Sequence, residues 1–288
     1  MLPDPALILE SHVRATVVLV ALALPSLLVF GLVLDGAIPA LRFRPGDRQE
    51  PPLWSLLEVV VALALYLLLL AFVGATLALT LLLDPEGVRL IYVQPLNMII
   101  AGGLTLSFVW TRVGVVLGQP LASLGVQGAP WRNLGPCVVT FLATICPLSL
   151  LASAWFGWLE ALLDHPRAEQ GPVRTFQEAL TGGDGAAIAA LVICSVVLAP
   201  IFEEVLFRGF LFGLLRRRWG ARAAVVVSGA VFAAYHANLS AFLPLFVVGA
   251  VLAVVYHRSR SLAFAVLWHA LFNAANLLLM VVTSGGGS

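Results

Sequence analysis

Three ionisable side chains stand together in an otherwise apolar stretch of the sequence, APIFEEVLFRGFLFGLLRRRWG. Glu203 and Glu204 are adjacent, and Arg208 follows one helical turn later. An ionisable residue at mid-membrane costs about 2.5–3.5 kcal/mol on insertion scales, so such groups normally face a bundle interior and have a function. Buried carboxylates suit acid–base chemistry, and we therefore expect a reaction site at this segment.

Helical spacing gives the two glutamates different roles. Glu204 and Arg208 are i,i+4 with the acid N-terminal to the base, which is the favourable order for an ion pair. Glu203 has no such partner in its own helix and points about 100° away from Glu204. We expect Arg208 to hold Glu204 and Glu203 to act as the general base. A purely structural role for the Glu204–Arg208 pair is the alternative.

Two later segments, FAAYH and HALFN, carry further polar groups. Phe232 and His236 lie one helical turn apart, and so do His269 and Asn273. A rise of 1.5 Å per residue puts Glu203 and His236 roughly 20 Å, and His269 roughly 13 Å, from the arginine-flanked ends of their helices. A base, two histidines and an amide donor can activate a water and stabilise an oxyanion. Taken singly, each histidine or asparagine also fits an interhelical hydrogen bond.

The composition shows what kind of helices must position these residues. The 288-residue chain is 61% hydrophobic and 11% charged, whereas soluble domains carry about 25% charged residues. Because a span needs about 20 apolar residues, the sequence predicts an all-α polytopic transmembrane bundle. Gly102, Gly103 and Arg112 interrupt the third span, so seven helices are the alternative to eight. The predicted spans are 13–35, 54–83, 96–118, 134–160, 185–215, 221–238, 240–257 and 261–282.

The polar segments divide the chain into three parts. The longest of them, 164–185, is expected to contain a short surface helix over 176–180. We predict N-terminal transmembrane helices and loops over 1–184, a catalytic helix core over 185–282 and a disordered tail over 283–288.

Arginine placement predicts the orientation in the membrane. All sixteen basic residues are arginine; eleven fall on the side of the RRRWGAR turn, four on the other side, and Arg208 lies inside a helix. The positive-inside rule then puts this turn in the cytoplasm and both termini outside. We expect a multi-pass protein of a bacterial plasma membrane with its site towards the cytoplasmic half. The net charge of +1 gives no reason to expect a nucleic-acid partner.

The ordered motifs resemble those of the CPBP family, which comprises the type II CAAX prenyl endopeptidases and bacterial relatives that process bacteriocins or confer immunity to them. EExxxR corresponds to Glu203 through Arg208, FxxxH to Phe232 and His236, and a histidine followed four residues later by asparagine to His269 and Asn273. Each motif is weak alone, but the ordered triple is specific. The resemblance covers about 185–282.

This resemblance implies an intramembrane endopeptidase acting on a membrane-anchored peptide or protein. Glu203 would activate a water, assisted by His236. The oxyanion hole would be formed by His269 and Asn273. Glu204 and Arg208 would brace the site. A metal-free glutamate mechanism is favoured, and the alternative is zinc held by His236, His269 and Glu203. The sequence lacks HExxH, so no single helix offers a two-histidine clamp.

Two other functions compete with the peptidase. One is a non-enzymatic relative, such as a bacteriocin-immunity protein or a membrane scaffold. The other is a proton-coupled transporter whose buried Glu and His relay protons. The sequence shows no inverted repeat and no paired broken helices, which argues against the transporter.

Overall fold

Every regular element that the structure describes is helical, which confirms the all-α prediction. The computed structural model describes residues 5–45, 51–83, 90–126, 131–163 and 171–285. The α-helices are α1 Pro5–Asp35, α2 Leu56–Leu83, α3 Leu90–Trp110, α4 Leu134–Leu163, α5 Gly171–Gly182, α6 Gly185–Ile193, α7 Ala199–Glu204, α8 Gly213–Tyr235, α9 Leu239–Ser259 and α10 Leu262–Gly285.

Wider π-helical turns connect the helices that carry the EExxxR motif. Cys194–Leu198 joins α6 to α7, and Val205–Phe212 joins α7 to α8. Such turns are rare and are often found at functional sites. The Phe210 carbonyl in the second turn accepts a hydrogen bond from the Trp54 indole at 2.9 Å. The sequence predicts a helix here but carries no signal for its local widening.

The membrane-crossing segments match the predicted spans. Six stretches of the described residues are long and apolar enough to cross a membrane. One of them, Gly185–Tyr235, has 51 residues, or about 76 Å of helix, against a hydrocarbon core of about 30 Å. Gly220, at φ 79°, divides it at the predicted turn. With the apolar part of α1, Val20–Asp35, each of the eight predicted spans has a helical counterpart.

The predicted interruption of the third span is absent at Gly102 and Gly103, whereas at Arg112 helix α3 gives way to a π-helical extension, Thr111–Val116. Helix α3 runs through Gly102 and Gly103, because Gly102 is a packing site rather than a break. A Cβ atom at Gly102 would lie 2.2 Å from the ring of Phe202, which immediately precedes Glu203. Because Gly102 has no side chain, α3 closely approaches α7, the helix that carries Glu203 and Glu204 and that we call the motif helix.

Smaller differences concern the ends of elements. Helix α5 is longer than the predicted 176–180 surface helix, although it lies in the expected segment. Helix α10 continues to Gly285, three residues into the predicted tail, and 286–288 lie outside the described residues.

The buried core is continuous across the predicted boundary at 184/185. Helix α1 packs on α4, α2 on α3 and α8 on α9, while α10 contacts α4, α9 and the motif helix. Tyr66 and Phe141 from the N-terminal part join Phe207, Phe232 and Trp268 in one hydrophobic cluster. The site is therefore enclosed by helices from both parts of the chain.

Candidate functional site

The ion pair predicted from spacing is present at the centre of the core. The side chains of Glu204 and Arg208 are both 0% exposed, and Glu204 Oε2 lies 3.2 Å from Arg208 Nε. Arg208 Nη2 also donates to the Gly249 carbonyl at 3.0 Å, and its guanidinium carbon lies 4.6 Å from the centroid of the Phe232 ring. The guanidinium charge is thus compensated by a carboxylate, a carbonyl and a π face.

Small residues make the Gly249 carbonyl accessible to Arg208. A Cβ atom at Gly249 would lie 2.9 Å from Gly229 Cα, so α8 and α9 cross with their backbones nearly in contact. This close crossing holds α9 at the distance that Arg208 reaches. Gly249 therefore provides the hydrogen-bond acceptor for Arg208, although it is not part of the EExxxR motif.

The other carboxylate oxygen of Glu204 orients His269. Glu204 Oε1 lies 2.9 Å from His269 Nδ1. Because an ionised carboxylate only accepts hydrogen bonds, we assign one imidazole proton to Nδ1. In the neutral tautomer with this proton, Nε2 is a hydrogen-bond acceptor. Arg208, Glu204 and His269 therefore form a chain of contacts that fixes the direction of His269 Nε2.

Glu203 lies at the end of this chain. Its side chain is 12% exposed, and its Oε2 lies 3.9 Å from His269 Nε2. No hydrogen-bond partner for Glu203 Oε2 occurs in the described part of the chain. In that tautomer, Glu203 Oε2 and His269 Nε2 are two acceptors that face each other across a gap that is too long for a direct hydrogen bond.

Two tyrosines that the sequence analysis missed lie near Glu203. Tyr66 on α2 and Tyr235 on α8 are both within electrostatic range of the Glu203 carboxylate, and their ring centroids are 5.5 Å apart. Tyr66 is 4% exposed. The sequence signal for Tyr66 was its lone hydroxyl in the apolar run LALYLLLL. Through Tyr66, helix α2 of the N-terminal part contributes to the surroundings of Glu203.

His236 lies at the edge of the cluster. It is the C-cap of α8, and its Nδ1 lies 2.8 Å from the carbonyl of Phe232, one of the carbonyls that a helix end leaves unpaired. The Phe232 ring lies 4.8 Å from the imidazole of His236 and 5.8 Å from that of His269, measured between centroids. Phe232 therefore joins the two histidines by packing.

The side-chain amide of Asn273 contacts the first π turn. Its Nδ2 donates a hydrogen bond to the Ser195 carbonyl at 2.7 Å. Ser195 lies in the first π turn, where the regular i to i−4 pattern is interrupted, so its carbonyl can take an outside donor. Asn273 keeps a second amide hydrogen beyond this bond.

The donors as placed do not form a zinc site. No group of three His, Cys, Asp or Glu side chains within the described ranges is arranged to hold a metal ion. His269 Nδ1 contacts Glu204, and His236 Nδ1 contacts a backbone carbonyl. Neither contact uses the Nε2 atom of a histidine, so these contacts do not argue against a metal. Whether His236, His269 and Glu203 hold zinc therefore stays a prediction.

Fold and site together define a multi-pass helical membrane protein with a buried Glu–Arg–His network. Residues 185–275 match the family described as type II CAAX prenyl endopeptidase Rce1-like. This match confirms the resemblance that the three motifs indicated: residues 185–275 are similar to this protease family.

A curated relative matches over a similar length. The chain is 26% identical over 95 residues to "Putative membrane peptidase YdiL" of Bacillus subtilis (strain 168), an alignment covering 33% of this chain and 39% of the relative. The chain thus spans about two fifths of the length of the relative. No solved structure matches the chain.

Proposed function

We propose that the protein is an intramembrane endopeptidase in which Glu203 activates a water. The observation that carries the proposal is the pair of acceptors, Glu203 Oε2 and His269 Nε2, facing each other at 3.9 Å. The family match and the name of the relative support a membrane protease.

The geometry suggests how the water is held. A water about 2.8 Å from both acceptors would donate one hydrogen to Glu203 and the other to His269. Its lone pairs are then free to face a substrate carbonyl. Glu204 and Arg208 contribute by fixing the His269 tautomer, so that the second acceptor is already in place before the substrate arrives.

The reaction consumes one water and breaks one C–N bond. As the water oxygen attacks the carbonyl carbon, a proton passes to Glu203 and negative charge develops on the carbonyl oxygen. We assign the remaining amide hydrogen of Asn273 to this oxyanion, with His236 as an assisting group at the edge. When the C–N bond breaks, Glu203 returns the proton to the leaving nitrogen and becomes a carboxylate again.

The substrate class follows from where the site lies. A carboxylate enclosed by membrane-spanning helices is accessible to peptides that are anchored in, or folded into, the bilayer. We therefore propose a membrane-anchored peptide or protein as substrate. The arginine distribution supports cleavage towards the cytoplasmic side of a bacterial plasma membrane.

The decisive experiment compares two glutamine variants in lipid nanodiscs. Wild type, Glu203→Gln and Glu58→Gln are incubated with a library of membrane-anchored fluorogenic peptides. Because a general base contributes about 10²–10⁴-fold, Glu203→Gln is expected to lose at least about 10²-fold in cleavage rate without losing thermal stability. Glu58→Gln, a glutamate of the ion pair with Arg112, controls for loss of a membrane carboxylate and should remain active.

Three results would reject parts of this proposal. Cleavage that survives Glu203→Gln would remove Glu203 as the base. Cleavage abolished by a chelator and restored by zinc would replace the metal-free chemistry. Wild type that cleaves no library member, but protects cells from a bacteriocin equally well with Glu203→Gln, would favour the non-enzymatic immunity function.

A further inference from the structure

A basic basin lies at the RRRWGAR end of the bundle, away from the Glu203 site. It consists of two adjoining cavities of about 390 Å³ and about 250 Å³. Arg216 on α8, His257 on α9 and Arg260 just after α9 line both cavities. The larger volume falls within the range of ligand pockets in proteins, roughly 300–1,000 Å³.

The basin is strongly cationic. Its described lining includes one acid, Asp35, and the arginines Arg42, Arg216, Arg217, Arg258 and Arg260. The oxygens of a phosphate group accept hydrogen bonds from guanidinium forks. The arginine content of the described lining therefore favours an anionic ligand.

Two local features show that the basin is built into the fold. Arg260 has a positive φ of 55° at the end of α9, a conformation that favours glycine and is strained for a long side chain. His257 Nδ1 is buried without a hydrogen-bond partner in the described part of the chain. Strained backbone and unpartnered buried polar atoms concentrate at functional sites.

We infer that this basin binds the phosphate group of an anionic lipid headgroup. The ends of α1, α8 and α9 meet here, and the predicted orientation puts them at the anionic cytoplasmic leaflet. Free phosphate offers the same chemistry, so the experiment must separate the two sources. The inference does not depend on the peptidase proposal.

Arg218 provides a matched control. It lies on the same turn of α8 as Arg216 and is exposed, but it lines neither cavity. A general attraction of the basic helix end for anionic lipid would involve Arg218 as much as Arg216. A built site depends on the residues that line the cavities, among them Arg216 and Arg260, and not on Arg218.

The test is native mass spectrometry of the detergent-solubilised protein titrated with phosphatidylglycerol or phosphatidylcholine. We expect wild type to bind phosphatidylglycerol at least about tenfold more tightly. Arg216→Gln and Arg260→Gln should each lose about tenfold in this affinity, as expected for a charge-assisted hydrogen bond. Arg218→Gln should change it by less than about twofold. Melting temperatures in phosphatidylcholine alone check that each variant is folded, and Arg216→Lys provides a milder change if Arg216→Gln is not.

Inorganic phosphate identifies the source of the ligand. If phosphate displaces phosphatidylglycerol and raises the melting temperature to the same extent, the site takes a soluble phosphate. If phosphate has no effect while the lipid binds, the headgroup is the ligand. Equal losses in Arg218→Gln and Arg216→Gln, or equal binding of both lipids without protection by phosphate, would overturn the inference.

Discussion

The Glu204–Arg208 pair and the Glu58–Arg112 pair place the same two side-chain types in opposite environments. Both side chains of the first pair are 0% exposed and lie one turn apart on one helix. In the second pair Arg112 is 35% and Glu58 17% exposed, and the partners come from α3's π-helical extension and α2.

The comparison shows how burial changes the role of a Glu–Arg ion pair. Water and salt screen the Glu58–Arg112 pair, which can reorganise if either partner is lost. The buried pair has no such alternative, and each of its members makes a further contact inside the core. One oxygen of Glu204 orients His269, and one nitrogen of Arg208 holds α9 through Gly249.

The largest stability effect should come from removing one member of the buried pair. Arg208→Met leaves the Glu204 carboxylate without its counter-charge, and we expect a loss of about 3–5 kcal/mol in unfolding free energy. Denaturation in mixed micelles measures it. The double variant Glu204→Gln/Arg208→Met should recover much of the loss. A double variant as unstable as Arg208→Met would show that the two charges are not coupled.

A smaller loss should follow from separating α8 and α9. Gly249→Ala introduces a Cβ atom 2.9 Å from Gly229 Cα, and the resulting overpacking is expected to cost about 1–3 kcal/mol. It should also lower cleavage by moving the carbonyl that Arg208 contacts. The matched control is Gly157→Ala, because a Cβ there meets nothing within 4 Å. Equal stability of the two variants would contradict the close crossing.

The smallest effect should come from the partly exposed Glu58–Arg112 pair. Glu58→Gln is expected to cost about 0–1 kcal/mol, and high salt should reduce even this difference because the pair is partly in water. Unfolding of wild type and Glu58→Gln at low and high salt measures it. A cost equal to that of Arg208→Met would mean that burial does not distinguish the two pairs.

The spans were predictable from sequence because each is a long apolar run bounded by polar turns. The same polar turns predicted the turn at Gly220 in RRRWG and the segment that contains α5. The third span was less predictable. In the sequence alone, Gly102 indicates a break in the helix. Only the packing of Phe202 against Gly102 shows that the absence of a side chain allows a close helix contact.

The site was predictable where its partners share a helix. The i,i+4 distance between Glu204 and Arg208 is a property of the backbone, so their contact could be inferred. The contact of His269 with Glu204 joins residues 65 positions apart, and the one between Asn273 and Ser195 joins residues 78 apart. Such contacts depend on helix rotation and on π turns, for which a single sequence carries no periodic signal.

By itself, the sequence determined that this protein is a bundle of apolar helices in which EExxxR, FxxxH and the His–Asn pair supply the candidate reactive groups. Hydrophobic run length and helical period are local properties and need no partner. The tertiary structure decided that His269 contacts Glu204 while Asn273 contacts Ser195, and that Tyr66 of the N-terminal part lies within electrostatic range of Glu203. Those outcomes depend on how neighbouring helices rotate and approach one another, because side-chain packing in the closed core selects one arrangement.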